Sequence, residues 1–275
     1  MLNRAYLPMQ KVCYHSVVHY SLPEPPFDHQ RAALTAKTYT GQMSAGAVRR
    51  IRQAVDILLQ VSPLKTVWNP ITQALCTFKL TFVTLTISAR KLIAHREAYR
   101  LGLGPFLDWL RRKGCRHYIW KAELQDRGQI HYHVTTDIFI PYYDLRNEWN
   151  RLQGLAGWLD EFRAAFRHSN PNSTDIHAVH RVQRLDLYLS KYVAKSVGSG
   201  KIDGKVWGCD RGLMKARAFR CEREQIEEDR AEEAIRTGKA REFKLEFCRF
   251  VDMKDPVSLL EPKNVAAYRQ WLKSV

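Results

Sequence analysis

The chain has 275 residues, enough to bury a substantial core in one large domain or one domain with attachments. It carries 44 lysines and arginines against 28 aspartates and glutamates, a formal net charge of +16, and that surplus favours a polyanionic partner. No apolar run approaches the roughly 20 residues of a membrane span, and the opening "MLNRAYLPMQKVCYHSV" has no apolar core of signal-peptide type. Nucleic acid is therefore favoured over a membrane surface.

Residues 1–43 contain "SLPEPPFDHQ" and few periodic segments, and read as an irregular arm. In "SAGAVRRIRQAVDILLQ", Ser44 is a plausible N-cap, and Val48, Ile51, Ala54, Val55, Leu58 and Leu59 form an apolar stripe. Arg49, Arg50 and Arg52 lie off the stripe, where they would meet a phosphate backbone or solvent. Cys76–Ser88 alternates β-branched residues and predicts a strand. "ARKLIAHREAYRLGLGPFLDWLRRKG" predicts one or two helices, interrupted around Gly102–Pro105. Strands are expected at Cys115–Gln125 and Gln129–Ile140, and a helix over Asp144–Arg167. "DIHAVHRV" reads as a short strand and Arg184–Lys195 as a helix. A charged helix over Glu222–Arg241, a strand at Phe243–Asp252 and a short final helix follow. Strands interleaved with helices and joined by a hairpin favour α+β, with a central antiparallel sheet and flanking helices. The domain reading is an N-terminal arm and basic helix (1–70), a central domain (71–215), and a helix-strand-helix extension packed on the core (216–275). The six cysteines form no C-x-x-C pair, which fits reduced thiols in a cytoplasmic protein.

"RGQIHYHVTTD" (Arg127–Asp137) carries the first chemical signal. With Asp126-Arg127-Gly128 as a three-residue turn and Gly128 left-handed, Glu123 faces His131 and Lys121 faces His133. Trp120, Ala122 and Leu124 then share the opposite face with Ile130, Tyr132 and Val134. A one-residue slip would destroy that sorting. Two imidazoles and a carboxylate on one face suit a divalent cation and leave positions open for a substrate oxygen. An outward polar face without a metal would use the same residues.

"LDLYLSKYVAKS" carries the second signal. Tyr188 and Tyr192 share a helical face, as do Lys191 and Lys195. A tyrosine hydroxyl can attack a phosphate whose charge is held by cations. A helix with tyrosines inward and lysines outward explains the same pattern.

Together these stretches resemble the HUH endonucleases, whose signature is matched by His131-Tyr132-His133. The tyrosines follow the histidines, as in rolling-circle replication initiators. "FVTLTIS" (Phe82–Ser88) is similar to the strand motif ahead of the histidines in those initiators. "YLSKYVAK" (Tyr188–Lys195) is similar to the paired-tyrosine motif of initiators from small single-stranded DNA phages. "GKVWGCDRGL" (Gly204–Leu213) is similar to a glycine-containing segment after the tyrosine helix. The resemblance covers roughly residues 76–215. It implies the Rep fold, with Mg²⁺ or Mn²⁺ held by His131, His133 and Glu123. It also implies attack by Tyr188 or Tyr192 on single-stranded DNA at an origin, with Lys191 and Lys195 assisting. The products would be a 5′-phosphotyrosine and a free 3′-OH. Arg49, Arg50, Arg52 and Arg127 are candidate DNA contacts. "KSVGSGKI" lacks two residues of a phosphate-binding loop, so a host helicase and a host polymerase are expected partners in the cytoplasm of a bacterial host. The competing readings are a single-tyrosine HUH transposase, and a basic nucleic-acid-binding protein without catalysis.

Overall fold

The computed structural model describes residues 6–23, 44–179 and 202–275. The chain divides into two compact units, Tyr39–Lys215, and Met1–Thr38 together with Ala216–Val275. No helix among the described residues is long and apolar enough to cross a membrane. All six cysteines are free thiols.

In the central unit, α1 (Ala45–Val61) starts where the sequence places it. Ser44 is extended, and its Oγ accepts a hydrogen bond from the Ala47 amide at 3.1 Å, satisfying one of the amides a helix start leaves open. Ile51, Ala54, Val55, Leu58 and Leu59 are buried, while Arg49, Arg50 and Arg52 are exposed. The stretch expected as one strand over Cys76–Ser88 is two. β3 (Lys65–Asn69) and β4 (Ala74–Phe78) form a separate hairpin, and β5 (Leu80–Thr86) begins after a bend at Lys79. Leu80, Thr81, Phe82 and Val83 are buried in succession, so alternation could not mark the bend.

The next helical stretch is α2 (His95–Ala98) and α3 (Gly104–Arg112), joined by a π-helical turn over Tyr99–Leu103. At Gly102 a Cβ would come within 3.1 Å of the Trp149 and Trp158 rings, so glycine lets the turn lie against both indoles. β6 (Tyr118–Leu124) and β7 (Ile130–Thr136) follow. The helix expected over Asp144–Arg167 is broken into α4 (Tyr142–Leu155) and α5 (Asp160–Phe166). Gly157, at φ 72°, ends the first of them. β8 (Thr174–Val179), β9 (Trp207–Cys209) and α6 (Arg211–Lys215) complete the unit.

The five strands order as β8-β5-β7-β6-β9, every pairing antiparallel. One face sends Val83, Leu85, Trp120, Ala122, Ile130, Tyr132 and Val134 into a core with Phe106, Leu110, Leu145 and Trp149 from the helices. The α+β class, with a central antiparallel sheet flanked by helices, is thus as expected. The histidine strand β7 sits in the middle of the sheet.

The terminal unit departs from the sequence reading. Residues 6–23, expected as an irregular arm, form β1 (Tyr6–Val12) and β2 (Ser16–Pro23). They share an antiparallel sheet with β10 (Arg220–Glu222), β11 (Ala240–Leu245) and β12 (Cys248–Met253), ordered β10-β1-β2-β12-β11. The partners lie about two hundred residues away, beyond the reach of a local pattern. The strand expected over Phe243–Asp252 is the hairpin of β11 and β12. The charged helix is shorter than expected, α7 (Gln225–Arg236), and α8 (Pro262–Ser274) ends the unit. Glu227, fully buried, accepts hydrogen bonds from Gln10 Nε2, Asn264 Nδ2 and the Glu224 and Glu261 amides. Its carboxylate ties β1, α7 and α8 together.

Candidate metal centre

The turn between β6 and β7 fixes the site. Gly128 has φ 81°, a left-handed conformation that glycine adopts without steric penalty. Its amide donates to Gln125 O at 2.7 Å, and the Gln125 amide donates to Gln129 O at 2.8 Å. Pairing then runs Glu123↔His131, Ala122↔Tyr132, Lys121↔His133, the register read from the sequence. Gln129 is buried and braces the turn. Its Nε2 donates to Ala89 O at 3.2 Å and Lys91 O at 3.0 Å, and its Oε1 accepts from the Ile93 amide.

Glu123, His131 and His133 converge on the face opposite the core. Glu123 Oε2 lies 3.4 Å from His131 Nε2 and 3.3 Å from His133 Nε2, and the three ligand atoms fall within 4.8 Å of one another. Ligand atoms about 2.1 Å from one ion stand about 3.0–3.4 Å apart in octahedral or tetrahedral arrangements. The donor set therefore fits a divalent cation without rearrangement. Two imidazole nitrogens and one carboxylate oxygen leave coordination positions open. The side chains of the three residues are between 13% and 21% exposed, so a substrate can reach the centre. Among the described residues this is the one cluster of its kind.

The electrostatics agree with an ionised third ligand. Burial opposes charging Glu123, but hydrogen bonds from His131, His133 and Lys121 outweigh it and hold the carboxyl well below the usual carboxylate range. Lys121 Nζ donates to Glu123 Oε1, the oxygen that the histidines do not use. His133 is held from two further sides. Its Nδ1 lies 3.1 Å from Thr84 Oγ1 on β5, and its ring stacks on Phe82 with centroids 5.3 Å apart. With Thr84 engaging Nδ1, Nε2 remains the ligand atom. Tyr132 points into the core with no solvent exposure, and burial pushes its phenol well above the usual range. It is a packing residue, as its register implied.

Sequence reasoning did not single out Thr84 or Lys121. Thr84 stands opposite His133 in the β5–β7 register, and it lies in the "FVTLTIS" strand quoted for the resemblance. Counting that register from the hairpin would have found it. Lys121 had been placed opposite His133 but given no role. Arg127 is exposed, and its guanidinium donates to Ile87 O at 2.9 Å and to Gln125 Oε1 at 3.3 Å. Arg49, Arg50 and Arg52 are on the solvent face of α1. Tyr188, Lys191, Tyr192 and Lys195 lie outside the described residues.

Residues 80–197 match the model of a family described as Replication-associated protein ORF2. The matched stretch runs from β5 through β8 and contains Glu123, His131 and His133, and in sequence the two tyrosines and two lysines. No curated protein and no solved structure matches the chain. The family match supports a replication-associated role and, with it, contact with DNA.

Proposed function

We propose that the chain is a rolling-circle replication initiator that nicks and rejoins single-stranded DNA at an origin. The observation that carries this reading is the convergence of Glu123, His131 and His133 on the central hairpin of the stretch matching a replication-associated family. Mg²⁺ or Mn²⁺ held by these three side chains would supply Lewis-acid polarisation of the scissile phosphate.

The remaining chemistry belongs to the chain. The hydroxyl oxygen of Tyr188 or Tyr192 forms a bond to phosphorus, and the bond from phosphorus to the 3′ oxygen breaks. The phenolic proton passes, in net, to that oxygen. The result is a 5′-phosphotyrosine and a free 3′-OH that primes a host polymerase. One phosphoester replaces another, so the step is reversible and the stored ester can be rejoined. Lys191 and Lys195 hold the charge of the phosphate or relay the proton. Two tyrosines allow alternation, since a four-residue helical offset is about 6 Å of rise. Arg49, Arg50, Arg52 and Arg127 would contact phosphates and position the strand. Unwinding falls to a host helicase in a bacterial cytoplasm.

The test is a labelled origin oligonucleotide incubated with Mn²⁺, followed by mass spectrometry of the adducted peptide. The expected adduct lies on Tyr188 or Tyr192. It is lost in the doubly substituted Tyr188→Phe, Tyr192→Phe chain and in excess chelator. An adduct that survives both substitutions overturns the nucleophile assignment, and nicking that survives chelation overturns the metal role.

A further inference from the structure

We propose that Lys121 is a positioning residue of this centre: its ammonium holds one oxygen of Glu123 so that the other faces the two histidines. The inference rests on the metal-site reading above and concerns a residue outside the ligand set.

Lys121 is unusual for a lysine on the polar face of a sheet, because its side chain is only 4% exposed. An ammonium taken out of water is strongly unfavourable unless paired. Its position explains the burial. On β6 it stands two residues from Glu123 and so shares its face, between His133 on β7 and Trp207 on β9. There Nζ donates to Glu123 Oε1, while His131 and His133 both approach Oε2. The two oxygens are thereby given different partners.

The last torsion of a glutamate is broad and roughly two-fold, so the side chain alone does not select which oxygen faces the ligands. Anchoring Oε1 removes that freedom and presents Oε2 as a single ligand atom. Hydrogen-bonded partners of metal-ligating carboxylates act in this way, and losing one typically weakens metal binding about 10- to 100-fold. The charge of Lys121 opposes that of a bound cation, so the two effects have opposite signs. If orientation dominates, removing the ammonium weakens metal binding; if repulsion dominates, it tightens.

The experiment is a Mn²⁺ titration of the full chain without DNA, followed by calorimetry and by electron paramagnetic resonance. It compares the unsubstituted protein with Lys121→Met and Lys121→Arg. Methionine keeps the length of the stem and removes the charge; circular dichroism and melting check the fold. Lys121→Gln takes its place if that chain fails to fold. The expected result is Mn²⁺ binding at least tenfold weaker in Lys121→Met, an altered resonance spectrum at saturation, and partial recovery in Lys121→Arg. Binding in Lys121→Met that equals or exceeds that of the unsubstituted protein, with an unchanged spectrum, overturns the role of Lys121 alone. Failure of the unsubstituted protein to bind Mn²⁺ overturns the metal reading itself and this inference with it.

Discussion

Replacing Glu123 by alanine should destabilise the central unit even when no metal is added. The substitution leaves the Lys121 ammonium buried at 4% exposure without its carboxylate. Removing one partner of a buried pair costs about 3–5 kcal/mol. Glu123 itself is 21% exposed, so water retains some access to the gap and the lower end, about 3 kcal/mol, is expected. For a unit of this size that corresponds to a melting temperature lower by about 6–12 °C. Six of the seven tryptophans (68, 109, 120, 149, 158 and 207) lie in the central unit, so urea unfolding followed by tryptophan fluorescence reports on it selectively. Adding Lys121→Met to Glu123→Ala removes the stranded charge and should restore most of the loss. The sign of the pH dependence follows from the depressed carboxyl. The stabilisation is fully present above the ordinary glutamate value of 4.5 and is lost as pH falls toward the lower folded value. The gap between the two chains should therefore narrow in acid. A loss under about 0.5 kcal/mol in Glu123→Ala, or no recovery in the double variant, would refute the pairing on which the argument depends.

Two further predictions concern other parts of the chain. His19 is buried in the terminal unit beside Arg223, Arg249, Glu227 and Glu228, and burial first, then the two arginines, lowers its pKa to about 4. The unfolded chain then binds the extra proton between pH 6.5 and about 4, so stability falls as pH drops through that window, by about 3 kcal/mol in all. Hydrogen exchange of the β2 and β12 amides should show this loss, and His19→Leu should flatten it; an unchanged slope in the variant argues against the assignment. On α1, substituting Arg49, Arg50 and Arg52 together by alanine should weaken single-stranded DNA binding. It should also reduce the slope of log affinity against log salt by up to about 2, if all three contact phosphates. An unaltered slope in a fluorescence-anisotropy titration would remove α1 from the DNA interface.

The hairpin was legible because its two faces differ in kind. Trp120, Ala122, Ile130, Tyr132 and Val134 demand one side, so the register that places Glu123 beside His131 follows from polarity alone. Features set by distant partners were not legible. Pro8 interrupts the pattern of β1, and both β1 and β2 find partners near the C-terminus. The β11–β12 hairpin turns at Glu246-Phe247, residues that carry no turn signal, so two strands were read as one. The tyrosine stretch was readable as chemistry, through its spacing and its resemblance, with no local geometry to support it.

The burial of Lys121 has the same character and bears on how the centre is built. Each strand beside β7 supplies one partner to it: Thr84 from β5 to His133 Nδ1, and Glu123 from β6 to both histidines. Ligands carried on adjacent paired strands are held more rigidly than ligands on loops. The outer strand adds what these three cannot. β9 pairs Trp207 with Lys121, and the Ala122 amide donates to Val206 O at 2.8 Å. Those residues follow the stretch that matches the replication-associated family, which ends at residue 197. The ligands therefore lie within the matched segment, whereas part of the cover over the ammonium lies beyond it. A fragment ending at residue 197 would keep Glu123, His131 and His133 but expose Lys121 to water, weakening its hold on Glu123 Oε1. Metal affinity in such a fragment should fall toward that of Lys121→Met in the full chain.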